Sequence, residues 1–115
     1  VNNARYLEFL EEDRWAQLEA HIDLERWASQ GMVFMVVNIN INYRRAVGPG
    51  ERLQVLTSLQ KVGNRSGVLE QVIRFRDSQE VAADALVTFV IAGPDGGAAT
   101  IEGELREELL TIGGG

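Results

Sequence analysis

The residues best suited to chemistry stand at the start of the chain, where Val1-Asn2-Asn3-Ala4 opens an apolar repeat with helical spacing. The first amides of a helix have no partner within it and lie at the positive end of its dipole. Such amides stabilise the oxyanion that forms when a thioester or ester carbonyl is attacked. The same residues also fit an ordinary helix cap, because an asparagine side chain accepts a hydrogen bond from a first-turn amide.

A second candidate is the turn Gly63-Asn64-Arg65-Ser66, which follows Lys61, the only lysine of the chain. Two cations and two short hydrogen-bonding side chains make this turn a candidate phosphate contact. The alternative is a solvated hairpin turn, for which glycine, asparagine and serine are equally suited.

Acid–base and metal chemistry have few candidates. Glu11 would be a general base if it faced a cleft, although its spacing from Arg14 also suits a surface ion pair. His21 is the only histidine, it follows the first predicted helix, and there is no cysteine, so a conventional zinc cluster is nearly excluded. Neither a GxxxxGK[ST] loop nor a GxGxxG turn is present. We therefore expect a site without a metal or redox cofactor.

Asparagines alternate with apolar residues along one predicted strand, at Asn38, Asn40 and Asn42. Successive strand side chains point to opposite faces, so the three asparagines share one face. That face either meets water or forms an interface or pocket wall, since asparagine is disfavoured inside strands. Asn40, at the centre, is a candidate substrate contact, and strand pairing across a dimer axis is the other explanation.

The elements that position these residues follow from hydrophobic periodicity. Val1 to Glu19 predicts an amphipathic helix whose apolar face carries Leu7, Leu10 and Leu18, and Asp23 to Ser29 predicts a short second helix. Four strands without proline follow, joined by short turns that favour antiparallel neighbours. They run approximately from Val33 to Arg45, Glu51 to Val62, Gly67 to Arg76 and Val81 to Ala92. A strand-like stretch near Thr100 and a helix from Glu104 to Leu110 complete the prediction.

The composition of the chain argues against binding to nucleic acid or membrane. The chain has 115 residues, enough for one domain with a core, and carries 17 acidic against 11 basic residues. The excess negative charge repels nucleic acid and anionic membrane. No apolar run approaches the roughly 20 residues that span a bilayer, and no leader segment opens the chain. We expect a cytoplasmic protein that binds neither nucleic acid nor membrane.

Several segments, taken in order, carry a family resemblance: Val1-Asn2-Asn3-Ala4-Arg5-Tyr6, Phe9-x-Glu11-x-x-Arg14, Ile39-x-Ile41-x-Tyr43, Gly50-Glu51-Arg52-Leu53 and the strand from Ser66 to Gln71. Together they resemble the hotdog-fold acyl-CoA thioesterases of the 4-hydroxybenzoyl-CoA thioesterase type, from Val1 to about Val90. The resemblance implies an α+β fold in which a curved antiparallel sheet wraps a long central helix. It also implies a homodimer, or a homotetramer, with active sites between subunits.

The resemblance assigns roles to single residues. It implies that the backbone amide of Asn3 polarises the thioester carbonyl and that Asn2 and Tyr6 line the pocket. It places the coenzyme A contact on Asn64-Arg65-Ser66. The implied reaction is hydrolysis of an acyl-CoA thioester to a free acid and coenzyme A, which is part of the substrate, so no cofactor is needed.

One departure bears on the activity. Members of this family type carry a catalytic aspartate in a loop just ahead of the helix, whereas this sequence opens at Val1. We therefore expect a single hotdog domain, residues 1–115, that lacks an N-terminal strand and loop. Without an upstream aspartate, Glu11 is the carboxylate left to test, and the alternative function is a non-catalytic subunit that binds acyl-CoA or an acyl carrier. A hotdog dehydratase fits poorly, because His21 follows the far end of the helix.

Overall fold

The computed structural model describes residues 3–112, with side chains from Tyr6 onward. The elements are α1 (Asn3–His21), α2 (Leu24–Ser29), β1 (Val33–Tyr43), β2 (Leu53–Val62), β3 (Ser66–Phe75), β4 (Val81–Ala92) and α3 (Gly103–Leu110). In this part of the chain the strands form one antiparallel sheet in the order β1-β4-β3-β2. The four predicted strands are confirmed, with boundaries that shift by about two residues or fewer, the usual uncertainty of element ends.

Helix α1 packs one row of side chains against the sheet. The row repeats every fourth residue and is buried throughout: Tyr6, Leu10, Arg14 and Leu18, followed by Ile22 just beyond the helix. Residues four apart share a helix face. Leu7 follows Tyr6 directly and therefore lies outside this row, where its side chain is 42% exposed. The prediction that Leu7 belongs to the buried face is therefore wrong, whereas Leu10 and Leu18 are confirmed there.

A bulge in β1 changes which of its side chains face the core. The register of β1 against β4 shifts between Val36 and Asn38, and one inserted residue reverses which side chains face inward. Phe34 and Val36 pack in the core before the bulge, and Ile41 packs there after it. The three asparagines of β1 are exposed on the opposite face, as the alternation predicts.

The segment after β4 folds back over the far end of the sheet. The strand predicted near Thr100 is wrong: only an isolated bridge forms there, between Ala92 and Ala98. The chain then turns inward, because the side chain of Ile101 is buried together with those of Leu105 and Leu109 in α3. The short terminal helix is confirmed, and it closes the core at the end where α1 finishes.

Candidate active site

The start of α1 lies at one end of the sheet. Asn3 is its first helical residue, so the Asn3 amide belongs to a first turn whose N–H groups have no partner within the helix. Asn2 lies outside the described residues. Tyr6, one turn further on, is buried and donates a hydrogen bond to the backbone carbonyl of Arg45 at 3.4 Å. Its ring meets that of Tyr43 edge to face, with 5.3 Å between centroids.

The Tyr6 hydroxyl stays protonated at neutral pH. Burial raises its pKa above the usual value of 10.0, and the nearby Tyr43 and Glu51 raise it further. A neutral phenol donates hydrogen bonds but does not remove a proton from water. Tyr6 is therefore suited to lining a pocket and not to acting as a base.

A hollow of about 220 Å³ opens at the same end of the sheet. Most of its lining is charged or polar: Arg45, Glu51, Arg52, Phe75, Asp77 and Ser78. Pockets for apolar ligands are lined mainly by apolar side chains. This hollow therefore suits water or a polar group better than an acyl chain.

Glu11 lies on the outward side of α1. It is exposed and, with Glu8, Glu12 and Trp15, surrounds a shallow hollow on the helix surface. The guanidinium of Arg14, its predicted surface partner, is instead buried and donates to Gln71. Burial lowers the pKa of Arg14, and the negative charge of Glu11 partly offsets this. Within one copy of the chain, Glu11 thus faces solvent and not an enclosed cleft.

The predicted phosphate contact forms the hairpin between β2 and β3. Its turn is closed by a hydrogen bond from the Gly63 amide to the Ser66 carbonyl at 2.8 Å. Asn64, Arg65 and Ser66 are all exposed, as is Lys61. The side chains of this turn are therefore free of the core and accessible to a ligand.

Asn40 lies apart from the start of α1 and from the hairpin between β2 and β3. It is exposed on the outer face of β1, opposite Leu86 of β4. Its neighbour Asn42 donates a hydrogen bond to Asp84 at 3.2 Å. A role for Asn40 in substrate contact stays a prediction, because the inner face of the sheet, and not this outer face, packs against α1.

The residues predicted to hold the thioester and those predicted to contact coenzyme A thus lie at opposite ends of the molecule. Asn3 and Tyr6 lie beside the end of β1 and the start of β2, whereas Asn64-Arg65-Ser66 follows the end of β2. A strand rises about 3.3 Å per residue, so the ten residues of β2 separate the two groups by roughly 30 Å. One copy of the chain does not bring them together.

A model of the thioesterase superfamily matches residues 1–82 of the sequence. The chain belongs to the thioesterase superfamily. The long-chain acyl-CoA thioesterase FadM of Escherichia coli strain K12 is 48% identical to it over 110 residues, which are 95% of this chain and 83% of that protein.

Solved structures agree with the architecture of this thioesterase. The crystal structure of the probable thioesterase YbaW from Escherichia coli superposes with a TM-score of 0.90 at 46% identity, over 98% of this chain and 86% of the other. A 1,4-dihydroxy-2-naphthoyl-CoA thioesterase from Synechocystis shares the fold at 18% identity, with a TM-score of 0.81 over 97% and 84% of the two chains. The predicted hotdog fold and the predicted thioester hydrolase are confirmed.

Sequence reasoning missed one polar group in the core of this thioesterase. Gln71 on β3 is fully buried and accepts a hydrogen bond from Arg14 at 2.9 Å. Its amide nitrogen donates to the Leu10 carbonyl at 2.8 Å and to the Thr57 hydroxyl at 2.9 Å, and Thr57 in turn donates to Asp13. The signal was available, because Arg14 and Gln71 each interrupt an apolar repeat at a position that faces inward.

Two further observations concern residues 3–112 only. No helix in this range has the length and apolarity needed to cross a bilayer. No three histidine, aspartate or glutamate side chains within it gather closely enough to hold a metal ion.

Proposed function

We propose that this thioesterase hydrolyses long-chain acyl-CoA thioesters at a site shared between two copies of the chain. The observation that carries the proposal is the separation of the helix start from the hairpin at residues 63–66 by the length of β2. The substrate class is that of FadM, which is 48% identical. The free acid and coenzyme A are the products.

A twofold axis beside β1 would bring the start of α1 in one copy close to the hairpin at residues 63–66 of the other. β1 is an edge strand, and its side chains Val33, Met35 and Val37 are 55%, 47% and 55% exposed. An edge strand with apolar side chains is a template for pairing with another strand. Two identical edges run antiparallel when the twofold axis that relates them is perpendicular to the strands. The start of α1 in one copy then lies beside the hairpin of the partner copy, because the partner's strands point the opposite way.

In this arrangement the nucleotide of coenzyme A binds at the hairpin of one copy, and the thioester lies at the start of α1 in the other. The Asn3 amide donates to the carbonyl oxygen, and the positive end of the helix stabilises its developing charge. Water attacks the carbonyl carbon and yields a proton to a carboxylate. The carbon–sulfur bond then breaks, and coenzyme A leaves as a thiolate that takes up the proton.

Two carboxylates are candidates for this base. The family resemblance points to an aspartate upstream of Val1, and Glu11 is the alternative within this sequence. Asn2 and Tyr6 line the pocket in this proposal, and Asn40 lies on the edge strand that pairs across the twofold axis. No metal or redox cofactor takes part, and the cytoplasm is the proposed location.

Subunit complementation tests the shared site. Asn3→Pro removes the amide at a position where a helix tolerates proline, and Arg65→Ala removes the hairpin cation. Each variant alone should hydrolyse acyl-CoA slowly when substrate is below KM. Unfolding and refolding the two together should restore about a quarter of wild-type activity, since half of the dimers are mixed and each holds one intact site.

Restored activity cannot arise if each copy forms its own site, because every site would then carry one of the two changes. A mixture no more active than its parts, with mixed dimers demonstrated by differential tagging, would overturn the shared site. The Arg65→Ala protein by itself should show a raised KM with kcat largely kept, since a remote phosphate contact is uniform binding.

A further inference from the structure

The start of α3 and the residues just before it are hydrogen-bonded to the hairpin between β2 and β3. The amide of Ile101 donates to the carbonyl of Asn64 at 2.6 Å. The guanidinium of Arg106, the fourth residue of α3, donates to the carbonyl of Gly63 at 3.2 Å. A cationic side chain from a distant part of the sequence is thereby brought to the turn that carries Arg65.

Helix α3 is also fixed by packing in the core and by ion pairs to α2. Leu105 and Leu109 are buried in the core. Arg26 of α2 pairs with Glu104 at 2.6 Å and also with Glu108. Packing and ion pairs of this kind restrict how far a short helix can move. The fold therefore sets the position of the α3 backbone, and with it the point from which Arg106 reaches the hairpin.

Arg106 has binding capacity beyond its contact with the hairpin. A guanidinium carries five N–H donors in a planar fork, and the Gly63 carbonyl accepts one of them. The side chain is partly exposed. Lys61 and Arg65 are exposed on the same hairpin, so three of the 11 basic residues of an acidic chain lie on this hairpin or against it. This clustering of positive charge suits a ligand with several phosphate groups.

We propose that Arg106 is the third cation of the coenzyme A phosphate site and that it makes the enzyme select coenzyme A thioesters over thioesters of pantetheine alone. The inference rests on the proposed function, which places the nucleotide at this hairpin. It adds a residue outside the segment that the family model matches, and it specifies the part of the substrate that the residue recognises.

Three variants separate the charge of Arg106 from its structural contact. Arg106→Gln keeps a donor for the Gly63 carbonyl but removes the charge, and Arg106→Lys keeps both a donor and the charge. Glu107→Gln changes a neighbouring exposed residue of the same helix and serves as the matched control. Kinetics are measured for each with dodecanoyl-CoA and with S-dodecanoyl pantetheine, which lacks the nucleotide.

For dodecanoyl-CoA, Arg106→Gln should raise KM roughly five- to tenfold with kcat kept, the effect of losing one charge-assisted hydrogen bond. Arg106→Lys should recover most of that loss, and Glu107→Gln should leave KM unchanged. KM for the pantetheine ester should be the same in the Gln variant as in the wild type. An unaltered KM for dodecanoyl-CoA, or an equal rise for both esters, overturns the inference.

Arg65→Ala, measured alongside, separates this inference from the proposed function. If Arg65→Ala raises KM for dodecanoyl-CoA selectively and Arg106→Gln does not, Arg106 has no part in a phosphate site that still exists. If neither variant changes KM, the assignment of coenzyme A to the hairpin fails, and the inference fails with it.

Discussion

Gln71 connects the helix to two strands through a single side chain. Its oxygen accepts from Arg14, and its nitrogen donates to Leu10 on α1 and to Thr57 on β2. Both hydrogens and the oxygen of the amide are thus used within the core. Because an unsatisfied buried polar group costs more than a satisfied one contributes, the contacts of Gln71 and Arg14 depend on each other.

A double-mutant cycle measures this dependence. Gln71→Leu alone leaves a buried guanidinium without its acceptor, and Arg14→Met alone leaves the amide oxygen of Gln71 without its donor. Each should lower the free energy of unfolding by about 2–4 kcal/mol. The double variant should cost at least ~1 kcal/mol less than the sum, because two apolar side chains then face each other. Denaturant unfolding gives the values, and strict additivity would show that the two residues act independently.

Asp84 contributes stability that depends on pH. A hydrogen bond from Arg44 lowers its pKa below the ordinary 3.8, against the effect of burial, and Asn42 also donates to it. A carboxyl with a depressed pKa in the folded state stabilises the fold above its unfolded pKa and loses this contribution as pH falls through the folded value.

Asp84→Asn should therefore lower the free energy of unfolding at neutral pH by less than about 1 kcal/mol, as expected for a partly exposed pair. The difference from the wild type should shrink as pH falls below 3.8. Denaturant titrations between neutral pH and about pH 3 check this. A difference that stays constant over that range would mean that the carboxylate charge is not what stabilises the pair.

The second residue of strand β3 is a glycine that the aromatic core requires. Gly67 lies opposite Phe89 of β4, whose ring is fully buried and stacks on Phe34 with 4.6 Å between centroids. A Cβ atom added to Gly67 would overlap the Phe89 ring and lie 3.2 Å from the carbonyl oxygen of Lys61. The ring is held on its other side by Phe34, so it has little room to shift.

Gly67→Ala should consequently destabilise the fold by about 1–3 kcal/mol, the range for an overpacked core. Gly97→Ala is the matched control, because its added Cβ meets only the Asp95 carboxylate, at 3.7 Å or more. Thermal unfolding of the two variants should separate them clearly. Equal stabilities would indicate that the end of the sheet adapts to the extra methyl group.

At the level of the whole molecule, the proposed shared site depends on the exposed edge of β1. The two groups of predicted site residues lie at opposite ends of one copy, and the apolar edge is where a second copy brings them together in our proposal. A charge at the centre of such an edge disfavours strand pairing, because it would be desolvated at the junction.

If the proposed dimer forms through this edge, Val37→Lys should convert it to a monomer and reduce kcat/KM for acyl-CoA at least tenfold, while far-ultraviolet circular dichroism stays unchanged. Leu110→Lys alters a similarly exposed apolar side chain on α3, with 51% exposure against 55%, and should leave mass and activity as they are. Sedimentation velocity reports the mass. A Val37→Lys protein that remains dimeric and active would place the interface elsewhere.

Local sequence patterns were enough to predict most of the helices and strands of this protein. The alternation of apolar and polar residues and the turns between them defined the strands, and the segment before Gly31 defined two helices, because these signals depend on neighbours in the chain. Even so, Leu7 was assigned to the buried face and a strand to the residues near Thr100. Which row of α1 side chains is buried depends on how the helix lies on the sheet. The inward turn at Ile101 depends on the core that its side chain enters.

The candidate site divides in the same way. Residue types and their order were enough to single out the helix start and the turn at Asn64-Arg65-Ser66. Only the tertiary structure decided that these lie at opposite ends of the sheet, that Gln71 meets Arg14 in the core, and that Arg106 reaches Gly63. Contacts between residues 43 or 57 positions apart arise from packing of the sheet and helices, and no local periodicity encodes them.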